Sequence, residues 1–432
     1  MTDIYEIAEY TLEALKKSGA DAAQCIVSKS KKDELNVDGG KFSLMRSTFN
    51  TSISMKAIKD GKKGVTSINQ ATKEAIDEAA DQCISAAQSS VPDEAEQIAP
   101  FTAKAEYNTG VFEPELDKLF DRIEEFMSQT AAEYPKIILE QLISDYEHSE
   151  KLYMNTNGTS LKYEHGEYSF NTMFSAHEGE KASSFNGYFC ALDSLDKPFM
   201  DAGMQRQLLD ESEKQLDTVS PSEKFVGRVI YSPDCFNELL QTALENFASS
   251  GVLIDGTSPW KDALNTKVAS EKLNLRSVPL DGRTVVGQRF TSDGYPVEDM
   301  DIIIDGVLKT FILSQYGANK TGFPRSLNSG NNLEVLPGDK ALEEMISGID
   351  RGLIVNRFSG GQPSSNGDFS GVAKNSFLIE NGKVVSAVSE TMISGNIIDM
   401  LNNIVAVSKE QTTDGLSFMP WAEFDGVTVS GK

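Results

Sequence analysis

Four dipeptides, Asp60-Gly61, Asn157-Gly158, Asp305-Gly306 and Asn381-Gly382, stand between strand-like runs, and they restrict this chain of 432 residues more than any other feature. A two-residue type I′ turn needs positive φ at both central positions, which Asn, Asp and Gly tolerate. Each pair therefore predicts an antiparallel hairpin. The clearest are DIIIDGVLKTFIL (301–313) and NSFLIENGKVVSAV (375–388), which resemble each other. No fixed period links them, so they read as two hairpins of one β domain and not as a solenoid repeat. Around Asp60-Gly61, Ile53, Met55 and Ile58 are expected to meet Val65 and Ile68.

Helical patterns separate these sheets. Ile4, Ile7, Ala8, Leu12 and Leu15 repeat at helical spacing, and Gly19 stands where a left-handed cap belongs. A second helix is expected over Ala71 to Ala87, followed by the connector SSVPDEAEQIAP. Pro114 opens a third, with Leu116, Leu119, Phe120, Ile123 and Phe126 on one face. Residues 137–195 read as strands, and a fourth helix is expected from Phe199 to about Leu216. The strand FVGRVIY leads into a helix at Ser232-Pro233-Asp234, and after Gly251 almost everything reads as strand and turn. The expectation is an α+β fold of two domains. Residues 1–220 form helices on a mostly antiparallel sheet, and residues 221–432 a β-rich domain.

Composition excludes several functions. No run of 18 apolar residues exists to span a membrane, and the acidic N-terminus does not read as a signal peptide, so a cytoplasmic location is expected. Cys25, Cys83, Cys190 and Cys235 have no CxxC spacing and read as buried thiols. Sixty-five acidic against 40 basic residues give a net charge of −25, which opposes nucleic-acid binding. The lysines of KAIKDGKK (56–63) read as edge protection on a hairpin.

MFSAHEGEK (173–181) holds the chain's one His-Glu pair. Zinc-binding histidines four or five residues apart share a helix face. Here Lys181 and Ala182 stand at those positions, and the surrounding alternation is that of a strand. His148, His165 and His177 all read as solvent-facing strand residues. No GxSxG elbow occurs, and SGGQPSSNGD (359–368) lacks the Lys-Ser/Thr ending of a phosphate loop.

Three stretches carry a family resemblance: FTSDGYPVEDMDIIIDGVLKTFILSQYGANKTG (290–322), SNGDFSGVAKNSFLIENGKV and SETMISGNIIDML. Together with the opening helix-strand pattern they resemble the TldD/PmbA family, most closely its PmbA (TldE) branch. The resemblance implies a cytosolic metallopeptidase of paired homologous subunits, a homo- or hetero-dimer, trimming unfolded or small peptides such as microcin precursors and an antitoxin. An older family label is modulator of DNA gyrase. TldD-type subunits carry zinc on a helix with His-Glu-x-x-x-His and a late cysteine, and the TldE-type partner lacks them. Carried over by position, that helix falls on LLQTALENFASSG (239–251). Its histidine positions are Gln241 and Asn246 and its glutamate position is Thr242. Neutral amides are poor zinc ligands, Thr carries no carboxylate, and no cysteine follows Cys235.

The resemblance thus implies no catalytic residue, no metal and no cofactor in this chain, with zinc expected in a TldD-type partner. A dimer interface is expected largely in the C-terminal domain. Gly360, Gly361, Asn366, Gly367 and Asp368 are candidates for peptide contact, because an extended peptide can add to neighbouring strand edges. The alternatives are a homodimeric scaffold or regulatory binding protein, and an enzyme whose metal is held by scattered Asp and Glu. The charge balance yields a direct test. Fluorescence anisotropy with duplex DNA at physiological salt should show no binding, and submicromolar affinity would overturn that exclusion.

Overall fold

Asp3 caps the first helix, α1 (Ile4–Lys17), by accepting from the Glu6 amide, and Gly19 closes it at φ +104°. The computed structural model describes residues 1–431. Four long strands follow α1 in the N-terminal half: β1 (Ala22–Asp38), β2 (Lys41–Lys59), β5 (Ile137–Asn155) and β6 (Ser160–Glu178). With β3 (Lys62–Ile68) and β4 (Lys104–Gly110) they lie in the order β3-β2-β1-β5-β6-β4, all antiparallel except β4 on β6.

Helix α1 and α2 (Lys73–Ser89) bury Ile7, Leu15, Ile76 and Ala80 against Val27, Ile53 and Leu152 at one end of a sheet face. Helix α3 (Leu116–Glu133) buries Leu119, Ile123 and Phe126 against Leu142 and Phe170 at the other. Phe120 stays partly exposed and stacks on Phe42, with ring centroids 4.4 Å apart. Lys56 and Lys63 both fold onto Glu96 of the connector, which becomes buried.

The expected helix from Phe199 to Leu216 is broken. A single turn spans Phe199–Asp201 and α4 runs Gln205–Lys214, because Gly203 takes φ +45° with Tyr188 packed where a side chain would begin. Asp60-Gly61, Asp305-Gly306 and Asn381-Gly382 all show the two positive φ values of a tight hairpin. At Asn157-Gly158 only the glycine does, and residues 156–159 form a longer turn between β5 and β6.

The C-terminal half is β-rich, built on a second sheet whose central strand Phe225–Tyr231 lies between Phe418–Ser430 and Arg351–Val355. The two similar hairpins occupy opposite ends of this sheet, 300–308 beyond Leu275–Ser277 and 376–388 beyond Arg351–Val355. Helix α5 (Pro233–Ala248) packs Phe236, Leu240 and Phe247 into the core below. The region after Gly251 is less uniformly strand than expected, with short helices at Ser250–Ile254, Gln315–Thr321, Leu342–Ser347 and Ile397–Asn402. All four cysteines are buried free thiols.

Tyr153 of β5 fastens the halves together. Its buried ring packs with Leu161 and Phe290, and its hydroxyl donates to Gln24. Gly294, at φ +91°, lies so close that a Cβ would stand 2.3 Å from the ring. Gly294→Ala should therefore cost about 2–4 kcal/mol through overpacking and an unfavourable φ, read as a lower urea midpoint. An unchanged midpoint would show that this contact is dispensable.

Candidate functional site

Helix α5 begins where Ser232 accepts from the Cys235 amide and Pro233 occupies the first turn. Its apolar residues enter the core, leaving Asn237, Gln241 and Glu245 as a polar stripe at four-residue spacing. Two cavities open along this stripe and Gln241 lines both. One, of about 950 Å³, lies between α5 with residues 286–290 and the β1-β5-β6 face of the N-terminal sheet. The other, of about 810 Å³, is bounded by Asp234, Glu238, Phe185, Tyr188, Arg357 and Asp414. Burial, with Asp414 nearby, pushes the Asp234 carboxyl up to about 6.

The three positions singled out on this helix do not converge. The Gln241 amide donates to Asn237 at 3.4 Å. Asn246 turns its amide back onto the Thr242 carbonyl at 3.0 Å, within its own helix. Thr242 itself lines a separate, smaller cavity of about 250 Å³. A metallopeptidase family implies a metal, but two amides and a hydroxyl directed at different places are not a donor set for zinc. Among the described residues no group of three or more His, Cys, Asp or Glu side chains is placed to hold an ion.

The glycine-rich stretch is a hairpin loop between Arg357–Gly360 and Asp368–Lys374. Gly360 and Gly361 line the small cavity. Asn366 and Asp368 are occupied with each other and with Asn396, which donates to the Asn366 carbonyl and the Asp368 carboxylate, both at 2.9 Å. Those donors hold the Asp368 carboxyl below its usual range. Gly367, at φ +93°, passes Phe247 at a distance only a glycine permits. The loop thus presents its glycine arm to a cavity and spends its polar arm on its own shape.

One histidine departs from expectation. His177 is exposed at the end of β6 and His148 is half-buried, but His165 is only 2% exposed. The reason is tertiary: the edge strand β4 packs Thr109 and Gly110 against the ring. His165 Nδ1 lies 2.7 Å from the Thr109 hydroxyl and 3.1 Å from the Thr109 carbonyl; because the hydroxyl can accept as well as donate and the carbonyl can only accept, we assign the hydrogen to Nδ1. Nε2 then turns a lone pair towards Glu167 Oε2, 3.1 Å away, and neither atom has a hydrogen-bond partner. Burial, with Glu147 and Asp145 adding to it, pushes the Glu167 carboxyl up to about 7, while burial lowers the His165 pKa. A proton on Glu167 relieves the clash of two acceptors.

The comparisons fit this geometry. The sequence pattern of the PmbA/TldA metallopeptidase C-terminal domain matches residues 224–431, and that of PmbA/TldA metallopeptidase domain 1 matches residues 23–87, together more than half of the chain. The chain is 32% identical over 155 residues to the metalloprotease PmbA of Escherichia coli O157:H7, covering 35% of this chain and 34% of that protein. It is 25% identical over 283 residues to a metalloprotease PmbA homolog of Buchnera aphidicola, covering 61% and 62%. These matches span less than two thirds of the relatives' length. The crystal structure of TldE from Thermococcus kodakarensis superposes with a TM-score of 0.84 at 22% identity, over 98% of this chain and 100% of that one. The chain belongs to the PmbA/TldD metallopeptidase family.

The His165–Glu167 contact predicts a pH dependence. A carboxyl whose folded pKa lies above its ordinary 4.5 contributes stability below pH 4.5 that is lost as pH rises through about 7. Glu167→Gln should flatten this, because its amide can donate to His165 Nε2 at any pH. The melting temperature of the parent protein should fall by about 2 °C relative to the variant between pH 5 and pH 8. Parallel melting profiles would refute the assignment.

Proposed function

We propose that this chain is the non-catalytic, PmbA/TldE-type subunit of a heteromeric metallopeptidase acting on unfolded or small peptides, with zinc and catalysis in a TldD-type partner. The observation that carries it is α5, which keeps its capping and its buried face while Gln241, Thr242 and Asn246 occupy the positions where zinc chemistry needs two imidazoles and a carboxylate. Family membership and the TldE-like fold support the reading. The large cavities along α5 supply concave polar walls suited to peptide. The division of the chain near residue 220, the cytoplasmic location and a dimer interface in the C-terminal half belong to the same proposal, as does peptide contact at Gly360 and Gly361.

Purified alone, the chain should hold no stoichiometric zinc and should leave casein and unfolded peptides intact. Co-expressed with a homologue bearing His-Glu-x-x-x-His, it should co-purify, and the pair should cleave peptide. Metal analysis and a digestion assay decide this. One zinc per isolated chain, or cleavage by it alone, would overturn the proposal. A stable homodimer that ignores the homologue would favour the scaffold reading.

A further inference from the structure

The face of the N-terminal sheet that looks into the larger cavity is graded in charge. Residues opposite one another in neighbouring strands share a face. The ladder sets Ser28, Lys151 and Tyr163 in one row, Ser30, Ser149 and His165 in the next, and Lys32, Glu147 and Glu167 in a third. A fourth row holds Glu34 and Asp145. In these last two rows four carboxylates meet only Lys32, bound to Asp145 and Glu147, and Arg46, bound to Glu34. Among the described residues Glu167 has no Lys or Arg within salt-bridge distance and faces only His165.

The opposite end carries the reverse imbalance. Lys151 is held over the Phe290 ring and Arg289 over the Tyr163 ring, at 5.8 and 5.6 Å. The Arg289 guanidinium donates only to the Pro279 and Gln288 carbonyls. Neither cation has a carboxylate within salt-bridge distance among the described residues, in a chain with 65 acidic side chains. Burial lowers the Lys151 pKa, as expected of an ammonium without a counter-ion. Between the two ends, buried His165 faces the carboxyl row, its Nε2 3.1 Å from Glu167 Oε2.

We infer that this face is a binding site for a short free peptide in its zwitterionic form, with the C-terminal carboxylate on Lys151 and Arg289 and the N-terminal ammonium at Glu147 and Glu167. This rests on the reading above for peptide as the ligand class. Length follows from the ladder. Four residues of strand separate Lys151 from Glu147, about 13 Å at 3.3 Å per residue. An extended tripeptide spans about 10 Å, and the side chains reach inward to close the difference. A buried carboxylate contact to two desolvated cations is directional and strong. An ammonium at this row offers Glu147 and Glu167 a positive charge that neutral His165 does not supply.

The probe is trialanine, titrated into the full chain by calorimetry at pH 7. Free trialanine should bind at least tenfold more tightly than either N-acetyl-trialanine or trialanine amide, and more tightly than free alanine. In Lys151→Met/Arg289→Gln the free acid and the amide should bind alike. In Glu167→Gln the preference for the free amine should shrink, which provides a readout if the double variant does not fold. Equal binding of blocked and free peptides, or no heat with trialanine at millimolar concentration, overturns the inference. Failure here with partner association and peptide cleavage intact removes only this site. Binding of trialanine without any partner association removes the subunit reading and leaves the site.

Discussion

The register between β5 and β6 is the constraint on which the rest depends. It runs from Ile137 opposite Ala176 to Met154 opposite Ser160, with one irregularity near Leu139. Because side chains alternate faces along a strand, a slip of one residue would exchange the two sides of the sheet. Leu152, Tyr168 and Phe170 would leave the helix-covered side, and Lys151, Ser149 and Glu147 would enter it. The same register places Tyr153 under Phe290 and Gly294, so strand pairing in one half sets where the other half docks.

Docking creates the electrostatics. Strand faces this polar are ordinarily solvated, and a lone histidine on one carries little consequence. Faced by residues 286–290 and by Gln241 and Glu245 of α5, the same face loses water without gaining partners for every charge. Glu167 and Lys151 shift in opposite senses of charge for one reason, desolvation. Such groups persist where the site has a use for them.

Much of this architecture was legible in the chain. The Asp-Gly and Asn-Gly pairs at 60, 305 and 381 marked tight hairpins because only a few residues accept two positive φ values in succession. The helix at Ser232-Pro233 was legible from its cap. The break at Gly203 was not, because it depends on Tyr188 arriving from a distant strand. The short helices after Gly251 span only five to seven residues, too few for a periodic signal. His165 left a trace that local polarity masked. It alternates in phase with the buried Leu161 and half-buried Tyr163, not with Lys162 and Glu164, so it shares their face. Positions 241, 242 and 246 were singled out only through the family resemblance, since nothing in LLQTALENFASSG itself marks them.

That silence is itself physically reasonable. A helix has two separable duties, packing with one face and presenting side chains on the other, and the buried face of α5 carries the first. Phe236, Leu240, Ala243 and Phe247 must still fill the space beneath the central strand, where truncation costs about 2–5 kcal/mol a residue. The outward positions bear no such cost. Gln at 241 is a good helix former, and the Asn246 amide donates to the Thr242 carbonyl one turn back. Exchanging metal ligands for these residues leaves packing, capping and cavity shape untouched. The buried face of α5 therefore sets the cavity walls independently of which side chains stand at its outward positions.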